Sequence, residues 1–399
     1  MKGFASCRSS SSARARSALA ACVVILLSVA RVCAQTAFYQ ATPQEVEGPP
    51  GTIIRQEAMP FAPAYISAYR VLYRSRGLHG EPIAVSGVVI APRGEAPAGG
   101  WPIVAWAHPT TGVATRCAPS LAFFVFQQIQ GLREMAAQGY AVAATDYPGL
   151  GTAGVHPYLV GESEGRAVLD IVRAARSMPA INASNTVAIW GHSQGGQAAL
   201  FAGLIARSYA PDLNLVGIAV AAPATELATL MREDLGSVGG KNLTAMTLWS
   251  WDRVFGALMR RIVEPQAVPA VDRLAEACIE SIGDLLVRRR LERPLETDFL
   301  TVRNPADVEP WRALATANTP GILPPDIPVF VAQGSADLLV RPQVTLNYVT
   351  RSCRAGVRVS FLVLPGVGHG FAGRDSARSA VEWIAGRFAG RPAPDNCER

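Results

Sequence analysis

The stretch Thr186-Val187-Ala188-Ile189-Trp190-Gly191-His192-Ser193-Gln194-Gly195, continued by Gly196-Gln197-Ala198-Ala199-Leu200-Phe201, decides how the rest of the chain is read. Its first five residues are mostly apolar and β-branched, as in a strand buried on both faces. Residues 197–201 favour a helix. Between them, Gly191-His192-Ser193-Gln194-Gly195 fits G-x-S-x-G, the sharp turn that lifts a serine hydroxyl above the end of a strand. A side chain two residues to either side of that serine would clash, which accounts for Gly191 and Gly195. The backbone N–H of Gln194 opens the helix and points at the place where a reacting oxygen would sit. The pentapeptide alone is a weak signal, and the flanking strand and helix make it a strong one. A plain structural turn is the bland reading, and that context disfavours it.

Outward from this turn, strands and helices alternate. Residues 83–91, 102–107, 140–144, 186–190, 215–221, 329–332 and 357–364 read as strands. Val168, Ile171, Val172 and Ala175 recur at helical spacing, as do Val381, Ile384, Ala385 and Phe388. Such alternation predicts an α/β fold with a mainly parallel sheet and helices on both faces. The rhythm breaks over residues 224–319, which are mostly helical in pattern and form a candidate cap. That divides the core into residues 35–223 and 320–399. Trp249, Trp251, Phe255, Leu258 and Met259 read as cap core, with substrate contact as the sharper alternative. Arg288-Arg289-Arg290 with Arg293 reads as a solvated helix face.

A serine hydroxyl needs a base, and the chain has five histidines. His79 falls in an early turn before the sheet core. His192 neighbours the serine in sequence, so on a sharp turn its ring faces away from Oγ, toward the sheet or a pocket wall. His108 and His156 lie in loops after strands and stay open. His369 fits best: it follows the last strand in Leu364-Pro365-Gly366-Val367-Gly368-His369-Gly370, in a glycine-flanked loop. The base needs a carboxylate to hold its tautomer. Val331-Ala332-Gln333-Gly334-Ser335-Ala336-Asp337 places Asp337 after the preceding strand. Asp146 also follows a strand but precedes the serine. The order Ser193, Asp337, His369 is that of the α/β-hydrolase fold. A second oxyanion donor is expected after residues 102–107, where the chain reads His108-Pro109-Thr110-Thr111-Gly112. Pro109 has no N–H, so Thr110 is the choice, with Thr111 a neighbour left open.

Composition bounds the rest. The 399 residues are 49% hydrophobic and 17% charged, enough to bury a large core. The net charge of +6 is concentrated at the N-terminus: residues 1–34 hold five basic residues and no acid, leaving 32 basic against 31 acidic, a net of +1. Nucleic-acid binding therefore has no electrostatic basis. Arginines followed by an apolar run over residues 18–30, and small residues at Val32-Cys33-Ala34, read as a secretory signal covering residues 1–34. The run is shorter than the roughly 20 residues of a membrane span. The mature chain is expected to be soluble, without an integral membrane segment, in the periplasm or outside the cell. Leu19-Ala20-Ala21-Cys22 mimics a lipid-attachment site but stands ahead of the hydrophobic stretch, which argues against lipidation. Four cysteines remain after residue 34, Cys117, Cys278, Cys353 and Cys397, enough for two disulfides in three possible pairings. None sits at metal-ligand spacing, and no metal is expected.

Asp146-Tyr147-Pro148-Gly149-Leu150-Gly151, Val155-His156-Pro157-Tyr158-Leu159, Gly191-His192-Ser193-Gln194-Gly195-Gly196 and Arg116-Cys117-Ala118-Pro119-Ser120 together resemble the secretory lipase family, the lipase-A type of α/β-hydrolase. The resemblance covers roughly residues 50 to 390. It implies a helical cap before the acid-bearing strand, and hydrolysis of a small-molecule ester or lipid by a Ser-Asp-His triad without metal or organic cofactor. It also implies that Cys117 pairs with Cys278 and Cys353 with Cys397. Fungal members look to carry an acidic residue where this chain has His108-Pro109-Thr110-Thr111. Short-chain, aryl or polyester hydrolysis, acyl transfer, peptide hydrolysis and a non-catalytic binding module are the rival readings. Oligomeric state is not legible in the sequence.

Overall fold

The computed structural model describes residues 37–279, 288–297 and 299–397. The secretory signal expected over residues 1–34 lies outside them. Chain contacts separate residues 1–40 from residues 41–399. Of the first unit, residues 37–40 are described and begin with a helical turn. The sheet, the inserted segment and the site all belong to the second.

Among the described residues, nine strands form one sheet in the order β1-β2-β3-β5-β4-β6-β7-β8-β9. They are β1 Ile53–Ala58, β2 Ile66–Arg76, β3 Pro82–Pro92, β4 Trp101–Ala107, β5 Ala141–Thr145, β6 Ala183–His192, β7 Asn214–Ala221, β8 Val329–Gly334 and β9 Val359–Leu364. From β5 through β9 the pairings are parallel. The edge made by β1, β2 and β3 is antiparallel. All seven expected strands are present. β1 and β2 are two more, unmarked by any continuous apolar run. β2 is Ile-Ser-Ala-Tyr-Arg-Val-Leu-Tyr-Arg-Ser-Arg, and its arginines interrupt the hydrophobic pattern.

The parallel strands are short and covered on both sides, so alternate residues feed opposite cores. In β4, Val104 and Trp106 face one apolar cluster and Ile103, Ala105 and Ala107 the other. Against the second cluster pack α2 (Gly161–Arg176), α3 (Gln194–Tyr209) and α8 (Pro342–Arg354). Against the first pack α1 (Leu132–Ala137) and α9 (His369–Phe388). This is the expected α/β layering.

Between β7 and β8 the chain leaves the sheet and forms α4 (Leu227–Asp234), α5 (Val238–Phe255), α6 (Val268–Ala275) and α7 (Trp311–Ala317). Its only β contact among the described residues is a bridge between Val263 and Leu300. Trp251 and Met259 are buried and Trp249 and Phe255 half-buried, while Leu258 is exposed. Trp251 stacks on Trp311 with centroids 6.3 Å apart. The arginine run divides, against the expectation of one solvated face. Arg289 and Arg290 are exposed, but Arg288 is buried and donates to the carbonyls of Leu274 (3.3 Å) and Ala277 (2.5 Å). The Leu274 carbonyl also accepts the N–H groups of Glu276 and Ala277 as α6 ends, and the buried guanidinium adds side-chain donors to this turn and to the Ala277 carbonyl beyond it. Cys117 is bonded to Cys278 (Cα–Cα 5.3 Å) and Cys353 to Cys397 (5.6 Å). The first bridge ties the inserted segment to the loop after β4.

Candidate active site

Ser193 sits between β6 and α3 with φ 58° and ψ −118°, a conformation that L residues rarely adopt. Two glycines make the turn fit. A Cβ on Gly191 would lie 2.2 Å from the Gly195 carbonyl oxygen, and one on Gly195 would lie 1.9 Å from the Ala107 carbonyl oxygen. The serine N–H donates to the Ala221 carbonyl at 2.9 Å, which anchors the turn to β7.

The structure brings Ser193, His369 and Asp337 together. Ser193 Oγ is 2.8 Å from His369 Nε2, and His369 Nδ1 is 2.8 Å from Asp337 Oδ2. Nδ1 donates to the carboxylate, so Nε2 is free to accept the serine proton. The imidazole opens α9 directly after Gly368. Asp337 is buried, and its second oxygen accepts the N–H groups of Leu339 and Val340 at 2.9 Å each. Gln333 adds a side-chain donor to Oδ2 at 3.2 Å. A carboxylate with both oxygens occupied is held in one orientation, and with it the ring. Such a group can deprotonate a hydroxyl, let it attack an electrophilic carbon, and return the proton to a leaving oxygen.

The remaining expected residues fall around this centre. Gln194 is buried beside Ser193, and as the first residue of α3 its backbone N–H has no partner within the helix. Thr110 makes no hydrogen bond to Ser193, Asp337 or His369; its hydroxyl meets the Tyr158 hydroxyl at 2.9 Å. The adjoining carbonyl of His108 accepts from the Tyr147 hydroxyl at 3.1 Å. Asp146, set aside as acid, is structural: it takes hydrogen bonds from Ser86 Oγ and from Ser120, and burial pushes its carboxyl up to about 6. His79 occupies an exposed turn between β2 and β3, within the sheet rather than ahead of it.

Three residues that the sequence did not mark as functional support the centre. His192 Nε2 donates to the His369 carbonyl at 3.0 Å, and its Nδ1 accepts from Gln130 Nε2 at 3.2 Å. Burial holds the His192 ring down to about 3, so it stays neutral. Glu164 lies beneath Gln194, whose side-chain amide it accepts at 2.8 Å. No local spacing signals these contacts, since their partners lie 30 to 177 residues away.

Ser193 and Gln194 line a narrow cleft of about 40 Å³. Its far wall comes from the inserted segment: Leu227, Leu230 and Met231 of α4, and Leu243, Thr244 and Thr247 of α5. The near wall is Tyr158, Leu159 and Val340. One apolar wall opposite a nucleophile and its base suits an acyl chain rather than a charged group.

A model of the secretory lipase family matches residues 125–396. A probable inactive lipase of Mycobacterium tuberculosis is 26% identical over 378 residues, 87% of this chain and 80% of that protein. Lipase A of Arthroderma benhamiae is 25% identical over 388 residues, 90% of this chain and 81% of that protein. Among solved structures, Candida antarctica lipase A in its closed state superposes with a TM-score of 0.74 at 18% identity, covering 91% of this chain and 89% of that one. A rice cell wall degrading esterase from Xanthomonas oryzae gives 0.70 at 20%, covering 86% and 98%. These likenesses carry the fold.

Proposed function

The chain belongs to the secretory lipase family and is a carboxylic ester hydrolase, and we propose that it works through Ser193, His369 and Asp337 by way of an acyl-enzyme. The observation that carries this is the unbroken line from Ser193 Oγ to His369 Nε2 and from His369 Nδ1 to Asp337 Oδ2, 2.8 Å at each step. One relative bears the name of a probable inactive lipase; here all three groups are present and in hydrogen-bond contact.

In the first half-reaction His369 takes the proton from Ser193 Oγ as the oxygen bonds to the ester carbonyl carbon. The resulting oxyanion is met by the backbone N–H of Gln194 and by Thr110. His369, held as imidazolium by Asp337, then passes its proton to the departing alcohol oxygen. Water repeats the cycle on the acyl-enzyme and releases the acid. Residues 224–319 act as a cap whose apolar wall receives the acyl chain, which supports lipid esters as substrates and leaves a chain-length limit to the width of the cleft.

The test is a chain-length series of p-nitrophenyl esters and an emulsified triacylglycerol, assayed on the mature protein and on Ser193→Ala. We expect the variant to lose a factor on the order of 10⁶ in turnover. Retained turnover would remove Ser193 from the mechanism. Soluble short esters hydrolysed with no activity on the emulsion would replace the lipase reading with that of a short-chain, aryl or polyester esterase.

A further inference from the structure

We propose that Glu164 and His156 are positioning residues: they grip the side-chain amide of Gln194 and so aim its backbone N–H at the oxygen that becomes negative during ester attack. The proposal rests on the hydrolase reading above.

The geometry begins with His156. Its Nδ1 lies 2.9 Å from the Pro148 carbonyl, which can only accept, so Nδ1 carries the proton and Nε2 presents a lone pair. The atom of Gln194 that faces this lone pair at 3.1 Å must therefore be the amide nitrogen, and the orientation of the amide follows. The same nitrogen lies 2.8 Å from Glu164 Oε1, which also accepts the Leu159 N–H at 3.0 Å. Both amide hydrogens of Gln194 are thus engaged, one by each residue. Both partners are completely buried, and burying a carboxyl and an imidazole is unfavourable unless something is gained.

What is gained lies one residue from the nucleophile. Gln194 follows the strained Ser193 and supplies the first free N–H of α3. An oxyanion donor acts only when it stands about 2.7–3.1 Å from the developing charge, so a small rotation of the helix start is costly. Glu164 is brought under that point by the close approach of α2 to α3: a Cβ on the adjacent Gly165 would come within 2.8 Å of the Ala202 nitrogen. The charge state agrees with the role. Burial pushes the Glu164 carboxyl up to about 8, so at neutral pH it adds no negative charge beside the oxyanion. His156, 3.8 Å away, is kept neutral by burial and by the neighbouring His108, while Tyr147 is the titratable group that feels the Glu164 carboxyl.

The experiment compares Glu164→Leu, Glu164→Gln and Gln194→Met in the mature protein. Hydrolysis of a p-nitrophenyl ester is expressed per active site, counted by end-point titration with a fluorophosphonate. We expect Glu164→Leu to lower kcat per titrated site about tenfold with KM within about twofold, and Glu164→Gln to restore most of it. Gln194→Met keeps the backbone N–H but loses both grips, and should be at least as slow as the Leu variant; it carries the test if that variant does not fold. A Gln194→Met enzyme with unchanged kcat per site, or a Gln variant as slow as Leu, would overturn the proposal. Failure of the hydrolase reading looks different, because Ser193→Ala would then keep its turnover whatever happens at residue 164.

Discussion

The rim of the sheet and the inserted helical segment meet across one cleft, yet they are held by different physics. On the rim, backbone packs against backbone: Gly191 and Gly195 leave no room for a Cβ, and Ser193 is kept at φ 58°. Asp337 is fixed by two N–H groups of its own loop. In the insert, side chains fill space. Leu230, Met231 and Trp251 are apolar volume, and the ties to the core run largely through side chains: the Cys117–Cys278 bridge, Ser250 between His156 and Tyr158, Trp251 Nε1–H on the Tyr158 carbonyl, Asn318 with Gly161 and Gln197, and Glu226 with Arg351. Backbone contacts admit almost no substitution, whereas volume can be redistributed at modest cost. On the proposed mechanism, chemistry is placed on the rim and acyl preference is set in the insert.

Changes on the rim should therefore be drastic and changes in the insert graded. Asp337→Asn should keep the fold and lower kcat/KM about 10⁴-fold, because the imidazole loses its enforced tautomer; an intact melting curve alongside ester kinetics checks both halves. Gly195→Ala forces a Cβ onto the Ala107 carbonyl and should destabilise by about 4 kcal/mol or more, read by urea denaturation. If that variant were as stable as the parent, the contrast between the two regions would collapse. In the insert, Leu230→Phe narrows the cleft. It should shift the kcat/KM ratio of octanoate to butyrate esters toward the shorter acid by about tenfold, with little change in stability.

One more effect sharpens the comparison from beneath the rim. The Glu164 carboxyl is raised by burial to about 8 from its ordinary 4.5. The folded state therefore holds a proton that the unfolded chain has released, and stability is lost as pH climbs from about 4.5 to 8. Glu164→Gln removes this term. The melting temperature of the parent relative to this variant should fall across that interval and level off above it. Parallel curves would remove the proton from Glu164.

The rim was largely legible in the sequence because its signals are local. A β-branched run, a glycine, a catalytic residue type and a second glycine lie within ten residues at 186–195, and much the same holds at 364–370. Strand β2 was not, because Arg70, Arg74 and Arg76 break its apolar pattern. The structure uses them as hydrogen donors to the backbone of Ser120, Glu45 and Gly48. Glu164 is hidden for another reason: beside Glu162 in the first turn of α2, it reads as an acid favoured by the helix dipole. Only the packing of α2 on α3 removes it from water. Arg288 is hidden in the same way, since the carbonyls of Leu274 and Ala277 that it meets lie at and just beyond the end of α6, far from its own arginine run.

Two disulfides and a secretory family fit an exported enzyme. What the account most depends on is that one hydroxyl, and no other, is made nucleophilic. The direct measurement is to treat the mature protein with a fluorophosphonate, digest it and locate the adduct by mass spectrometry. The account predicts about one adduct per chain, on Ser193, suppressed in His369→Ala. A folded protein that takes no label, or one labelled at another residue while Ser193 stays bare, would contradict it.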